Sequence, residues 1–158
     1  CVAMATQGAR SIAIDPSGEA ITRARVAASN ADVVVEFHEG DLADLGFLMN
    51  AVIDLPVCVH QINSETDIAR LFRQVHRVLR PEAGLVFAVT HPMSAVFDNN
   101  DPTARRQYGS TTPTIGELTM ALQRANFSID VMHELTPLHQ PRAVAPSTLV
   151  VRARKLGS

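Results

Sequence analysis

The segment SIAIDPSGEAITRAR, residues 11–25, changes its period halfway along. Ser11 to Ile14 is short, apolar and β-branched, which predicts a buried strand. Pro16 suits the first position of a helix or turn, where its missing N–H is not needed. From Gly18 onward Ala20, Ile21, Ala24, Ala27 and Ala28 share one helical face, with Arg23 and Arg25 off it. Asp15 therefore stands at the carboxyl end of a strand, at the edge where α/β sheets bind ligands. Two roles compete for it. It is either a turn former or helix cap, or the acidic acceptor for two ribose hydroxyls of a nucleotide-like cofactor.

The alternation continues on both sides of this segment. Residues 2–9 read as the last turns of a helix that stops at Gly8. After the helix over 18–29 come a strand over Val33 to Phe37 and a polar turn at Glu39-Gly40-Asp41. AVIDLPVCVHQI, residues 51–62, is an apolar run that predicts a strand over 53–59. Pro56 sits awkwardly inside it, because proline removes a ladder donor; a bulge, or a strand starting just after Pro56, would reconcile the two. Thr66-Asp67 can cap a helix whose positions Ile68, Leu71, Phe72, Val75, Val78 and Leu79 keep a 3.6 period. That helix stops before Pro81, and a strand follows over Leu85 to Val89. Repeated strand–helix units predict a parallel sheet with helices on both faces.

The C-terminal third breaks the pattern. FDNNDPTARRQYGSTTP, residues 97–113, is polar and rich in turn residues, and reads as a long inserted loop, mobile when nothing is bound. Thr114 starts a helix that runs to about Ala125, with Asn126 as its stop. SIDVMHEL (128–135) and STLVVRARK (147–155) then predict an antiparallel closing pair.

Composition narrows the function classes. A chain of 158 residues, 46% hydrophobic and 19% charged, makes one globular domain over 1–155. Net charge is −2, without a basic block, which disfavours a nucleic-acid surface. Lys155 is the only lysine, which reads as a bias of a GC-rich source genome. No apolar run nears the roughly 20 residues that span a bilayer, so no membrane partner is expected. Cys1 and Cys58 cannot make a disulfide framework, and a reduced cytoplasm is the expected location. The six histidines form no HxxxH pair and join no cysteine cluster, so no metal site is expected. GxSxG, CxxC and P-loop runs are absent. Residues 156–158 read as a tail, compatible with a cloning remnant.

Strand–Asp15–Pro16–Ser17–helix, then strand–Gly40–Asp41–Leu42, then IDLPVCVHQI and DIARLFRQVHRVLRPEAGLVFAV together resemble a class I S-adenosylmethionine-dependent methyltransferase of the small-molecule "type 11" group. The resemblance is strongest over residues 9–91. It implies a Rossmann-like three-layer α/β sandwich with a mostly parallel seven-stranded sheet whose last strand is antiparallel. It also implies S-adenosylmethionine as cofactor and a small-molecule methyl acceptor; a homodimer is compatible with it. Asp15, with Pro16 and Ser17, matches the acid that bonds the ribose hydroxyls. Gly40, Asp41 and Leu42 match the turn beside adenine. Cys58 and Val59 match the strand end beside the methionine part of the cofactor. His60, Gln61 and Asn63 then face the substrate, and His91 closes the next strand at the same edge. His60 and His91 are the candidate catalytic bases, since imidazole titrates near neutral pH. For each of these residues a purely structural role is the alternative: Asp41 as a turn former, Cys58 as a small buried hydrophobe. His76, beside Arg73 and Arg77, reads as part of a solvated helix face.

The family's glycine-rich loop and the first strand that carries it have no counterpart in these residues. The resemblance puts that strand between the ones at 11–14 and 53–59, so those two are expected not to pair directly. A segment before Cys1, or a strand of another chain, is expected to fill the gap. Two further functions stay open: an NAD-type oxidoreductase, which also places an acid after its second strand, and a non-catalytic methyltransferase-like binding subunit.

Overall fold

The computed structural model describes residues 1–97, 101–139 and 143–157. It divides into two compact units, Cys1–Asp44 and Leu45–Ser158.

The first unit holds α1 (Val2–Ala5), β1 (Ser11–Asp15), α2 (Gly18–Asn30) and β2 (Val35–Glu39). β1 and β2 are parallel, with Ser11 opposite Val35 and Asp15 opposite Glu39. Ser17 caps α2, its hydroxyl accepting the Ala20 N–H at 3.2 Å. Ile21 and Ala28 are the buried residues of the helix, one turn-pair apart on the face the sequence marks. Ala27, placed on that face by spacing, is exposed. β2 begins two residues later than the sequence suggests, and the cause is local. Asp32 leaves α2 in the left-handed region (φ 51°), and the Val33 N–H closes back onto Ala28 O. The helix exit thus consumes Val33, and Val34 is left 91% exposed.

The second unit holds β3 (Val57–Val59), α3 (Ile68–Val78), β4 (Gly84–Thr90), α4 (Ile115–Arg124), β5 (Phe127–Leu135) and β6 (Thr148–Lys155). Its sheet runs β3-β4-β6-β5. β3 and β4 are parallel, while β6 is antiparallel to both of its neighbours, as expected of the last strand. Six strands in two sheets thus stand among the described residues, and β1 and β3 lie in different sheets without pairing. Pro56 confines β3 to three residues. Strand geometry starts just after it, and its carbonyl still accepts the Val86 N–H at 3.1 Å.

The core of this unit follows from strand periodicity. Leu85, Phe87 and Val89 of β4 face the buried side, opposite Ala153, Val151 and Leu149 of β6. Phe72 of α3 packs against Phe87 with ring centroids 5.5 Å apart, and Leu118 and Leu122 of α4 are fully buried. Asp67 caps α3, accepting the Arg70 N–H at 2.8 Å. At the other end of α3, buried Lys155 donates from Nζ to Leu79 O at 2.9 Å, placing a cation on the helix C-terminus. His76 is half-buried: its ring meets Phe127 edge-on at 5.4 Å and bonds Leu156 O at 3.0 Å. Arg77 likewise turns inward, to the Leu45 and Leu48 carbonyls at 2.7 and 2.8 Å. α4 opens on a reciprocal capping box of Thr114 and Glu117, and Asn126 (φ 58°) ends it in the left-handed region.

The expected loop carries bonds of its own where it is described. Phe97 bridges Ala104, the Arg105 and Arg106 N–H groups bond Val96 O at 2.8 and 3.1 Å, and Thr112 is buried. The Thr111 carbonyl accepts the Ser64 N–H at 3.0 Å. Residues 98–100 of the expected loop lie outside the described residues.

Candidate functional site

In the first unit, the carboxyl ends of β1 and β2 carry the two acids singled out by the sequence. The Gly40 N–H bonds Asp15 O at 3.1 Å, which brings the second turn against the end of β1. Asp15 Oδ1 accepts the Ser17 N–H at 2.8 Å. That is a turn-forming bond, so one part of the modest reading of Asp15 holds. Its other oxygen, Oδ2, has no hydrogen-bond partner among the described residues. The helix cap itself is Ser17. Asp41 Oδ1 accepts the Ala43 N–H at 2.9 Å, which orients its carboxylate in the turn that Gly40 opens. A side chain at Gly40 would meet nothing within 4 Å, so the space beside this turn is open.

In the second unit, β3 and β4 end side by side. Cys58 and Val59 lie opposite Phe87 and Ala88, and the next N–H, that of His60, bonds Ala88 O at 2.8 Å. Burial pushes the Cys58 thiol above its ordinary value, with the backbone bond from Gln61 pulling weakly the other way. Cys58 thus behaves as a small apolar residue and not as a nucleophile. His60 sits in the left-handed region (φ 55°), a costly conformation for a residue with a side chain and one that recurs at functional sites. Its ring is exposed and has no partner among the described residues. Gln61 is exposed too. Asn63 spends its carbonyl oxygen locally, accepting the Glu65 N–H at 2.9 Å and facing the Thr66 hydroxyl at 3.3 Å.

His91 is 4% exposed, and its two ring nitrogens are both engaged. Nδ1 accepts the Met93 N–H at 3.1 Å, so in the neutral ring the proton sits on Nε2, which lies 2.8 Å from Glu134 Oε1. Neither nitrogen is left with a free lone pair, so in this arrangement His91 is an anchor and a wall instead of a free base. The wall belongs to a cavity of about 440 Å³ lined by His91, Met93, Val96, Tyr108 and Ile115. Sequence reasoning reached only His91 of these five. Tyr108, the single tyrosine of the chain, was the available signal in an otherwise polar loop. Glu134 lies 43 residues from His91, and no local pattern marks the pair. No cluster of three or more His, Cys, Asp or Glu able to hold a metal occurs among the described residues. Nor does any helix among them have the length and apolarity to cross a membrane.

A family model described as a methyltransferase domain matches residues 1–87. No curated protein matches the sequence. Among solved structures, an S-adenosylmethionine-dependent methyltransferase from Mesorhizobium loti is similar at 25% identity and a TM-score of 0.74, over 92% of this chain and 80% of that one. One from Methanosarcina mazei is similar at 22% identity and a TM-score of 0.75, over 99% of this chain and 87% of that one. The [4+2]-cyclase SpnF shares the fold at 18% identity and a TM-score of 0.74, over 99% of this chain and 70% of that one.

Proposed function

Since this chain belongs to the methyltransferase-domain family, whose cofactor is S-adenosylmethionine, we propose that it transfers a methyl group to a small-molecule acceptor. The observation that carries the reading is the pairing of Asp15 and the Gly40-Asp41 turn at one sheet edge, through the 3.1 Å bond from Gly40 N–H to Asp15 O. These residues fit the cofactor. Asp15 keeps Oδ2 and the remaining lone pair of Oδ1 for the two ribose hydroxyls, while Ser17 holds the carboxylate in place. Asp41, oriented by Ala43, takes the exocyclic amine of adenine, and Leu42 offers the adjoining backbone N–H. Pro16 shapes the bend between Asp15 and the Ser17 cap. Cys58 and Val59 are proposed as cofactor contacts by the same family match, and Gln61 and Asn63 as acceptor contacts.

When bound, S-adenosylmethionine supplies a methyl group already activated by its sulfonium. The residues of the chain then have to position the acceptor and, where it must lose a proton, accept that proton. His60 is the better placed of the two histidines for that, because its ring is exposed and free of partners among the described residues. His91 instead holds its surroundings rigid through Met93 and Glu134.

The test is formation of S-adenosylhomocysteine by the intact protein. A low-molecular-weight extract should stimulate it, and polypeptide or RNA fractions should not. Stimulation by RNA or polypeptide alone would refute the small-molecule acceptor.

A further inference from the structure

The cavity in the second unit has a lining that bears on what kind of molecule it could hold. Its volume, about 440 Å³, falls within the roughly 300–1,000 Å³ of small-molecule sites. Met93, Val96 and Ile115 give it aliphatic and thioether walls, and Tyr108 and His91 give it ring surfaces. No carboxylate, guanidinium or ammonium is among these five residues. The arginines of the neighbouring loop have partners of their own: Arg105 bonds Asp101 at 3.1 Å, and Arg106 bonds Ala95 O at 3.3 Å. The cavity opens to solvent past half-exposed Met93 and Tyr108. A charged group lying against its walls would give up part of its hydration without gaining a counter-charge, which is unfavourable.

One polar handle remains. The Tyr108 hydroxyl accepts the Ile115 N–H at 3.3 Å, satisfying one of the orphan donors at the start of α4. Its own proton has no acceptor among the described residues, and a hydroxyl that already accepts a hydrogen bond donates more strongly. The His91 nitrogens, both engaged, add no second handle.

We propose that this cavity is the acceptor site, and that the acceptor is an uncharged, mainly apolar molecule held at one end by a hydrogen bond from the Tyr108 hydroxyl. The acceptor role rests on the methyl-transfer reading above; the preference for an uncharged ligand rests on the cavity alone.

Isothermal titration of the intact protein with p-phenylphenol and with its hydroxybiphenyl carboxylate analogue tests the preference, with S-adenosylhomocysteine titrated in parallel. The neutral phenol should bind more tightly than the carboxylate by about tenfold or more. Ile115→Glu puts a carboxylate at the cavity wall, in a first helical turn that tolerates acids. It should remove phenol binding and leave S-adenosylhomocysteine affinity within about twofold. Tyr108→Phe, with its fold checked by circular dichroism, should weaken the phenol several-fold while keeping its preference over the carboxylate. Equal affinity for phenol and carboxylate, a preference for the carboxylate, or binding of neither overturns the proposal. Phenol binding without any S-adenosylhomocysteine binding would instead remove the methyl-transfer reading and leave the uncharged-ligand assignment standing.

Discussion

His91 Nε2 lies 2.8 Å from Glu134 Oε1, although β4, which ends one residue before His91, and β5, which carries Glu134, are separated in the sheet by β6. The pair reaches across β6 and fixes the buried ring in one tautomer. Glu134→Ala leaves the ring N–H without its acceptor and should cost about 1–3 kcal/mol in urea unfolding. Glu134→Gln keeps an acceptor oxygen and should restore most of that stability. Nitrogen NMR of the parent should show His91 protonated at Nε2 and bare at Nδ1. Equal stability of the alanine variant and the parent would remove the pair's structural role.

The two cysteines should separate in alkylation with iodoacetamide. Cys1 is exposed, whereas Cys58 is half-buried with its thiol pushed up by burial. Less thiolate and less access both slow the reaction. Peptide mass spectrometry should therefore find Cys1 modified well before Cys58 at neutral pH; a faster Cys58 would contradict its assignment as an inert apolar residue.

The Glu117 carboxyl is held below its ordinary range, first by the Thr114 backbone N–H and then by the Thr114 hydroxyl. A depressed folded-state value means that the unfolded chain binds the proton more readily. The contribution is therefore complete above about pH 5 and fades as pH falls through the carboxylate range. Thr114→Ala should cost about 0.5–2 kcal/mol at pH 7, and its difference from the parent should shrink at pH 3. A difference that does not change with pH would exclude Glu117 from the cap.

The sequence made these elements legible where local chemistry and tertiary packing agree. The α3 stripe of Leu71, Phe72, Val75, Val78 and Leu79 is buried as its period requires. The Thr114 cap and the Asn126 stop stand where their side chains favour them. The start of β2 was hidden, because Val33-Val34 reads as strand until the left-handed exit at Asp32 claims it. β3 shrank to the residues after Pro56, for the reason the proline itself supplies. At the site, Asp15 and Asp41 were visible as acids after strands, since that edge is set by element order. Glu134, Tyr108 and Ile115 were not, because strand pairing and the return of the loop bring them in from beyond the local sequence of His91, whereas Met93 and Val96 follow it closely.

Asp41 should discriminate the base of the cofactor. Asp41→Asn keeps the oxygen that accepts the Ala43 N–H, so the turn should survive. It loses charge and gains donors, so preference for the adenine compound over its deaminated, inosine-type analogue should narrow. Titration of both ligands checks this, and an unchanged preference would dismiss the adenine contact.

The central claim is that Asp15 anchors S-adenosylmethionine, and it is tested most directly by titrating S-adenosylhomocysteine into the intact protein and into Asp15→Ala. Two hydrogen bonds to a charged acceptor are worth roughly 1.5–3 kcal/mol each. Affinity should therefore fall by about tenfold or more while circular dichroism stays that of the parent. Unchanged affinity would leave Asp15 with only its 2.8 Å turn bond to Ser17 and contradict the account.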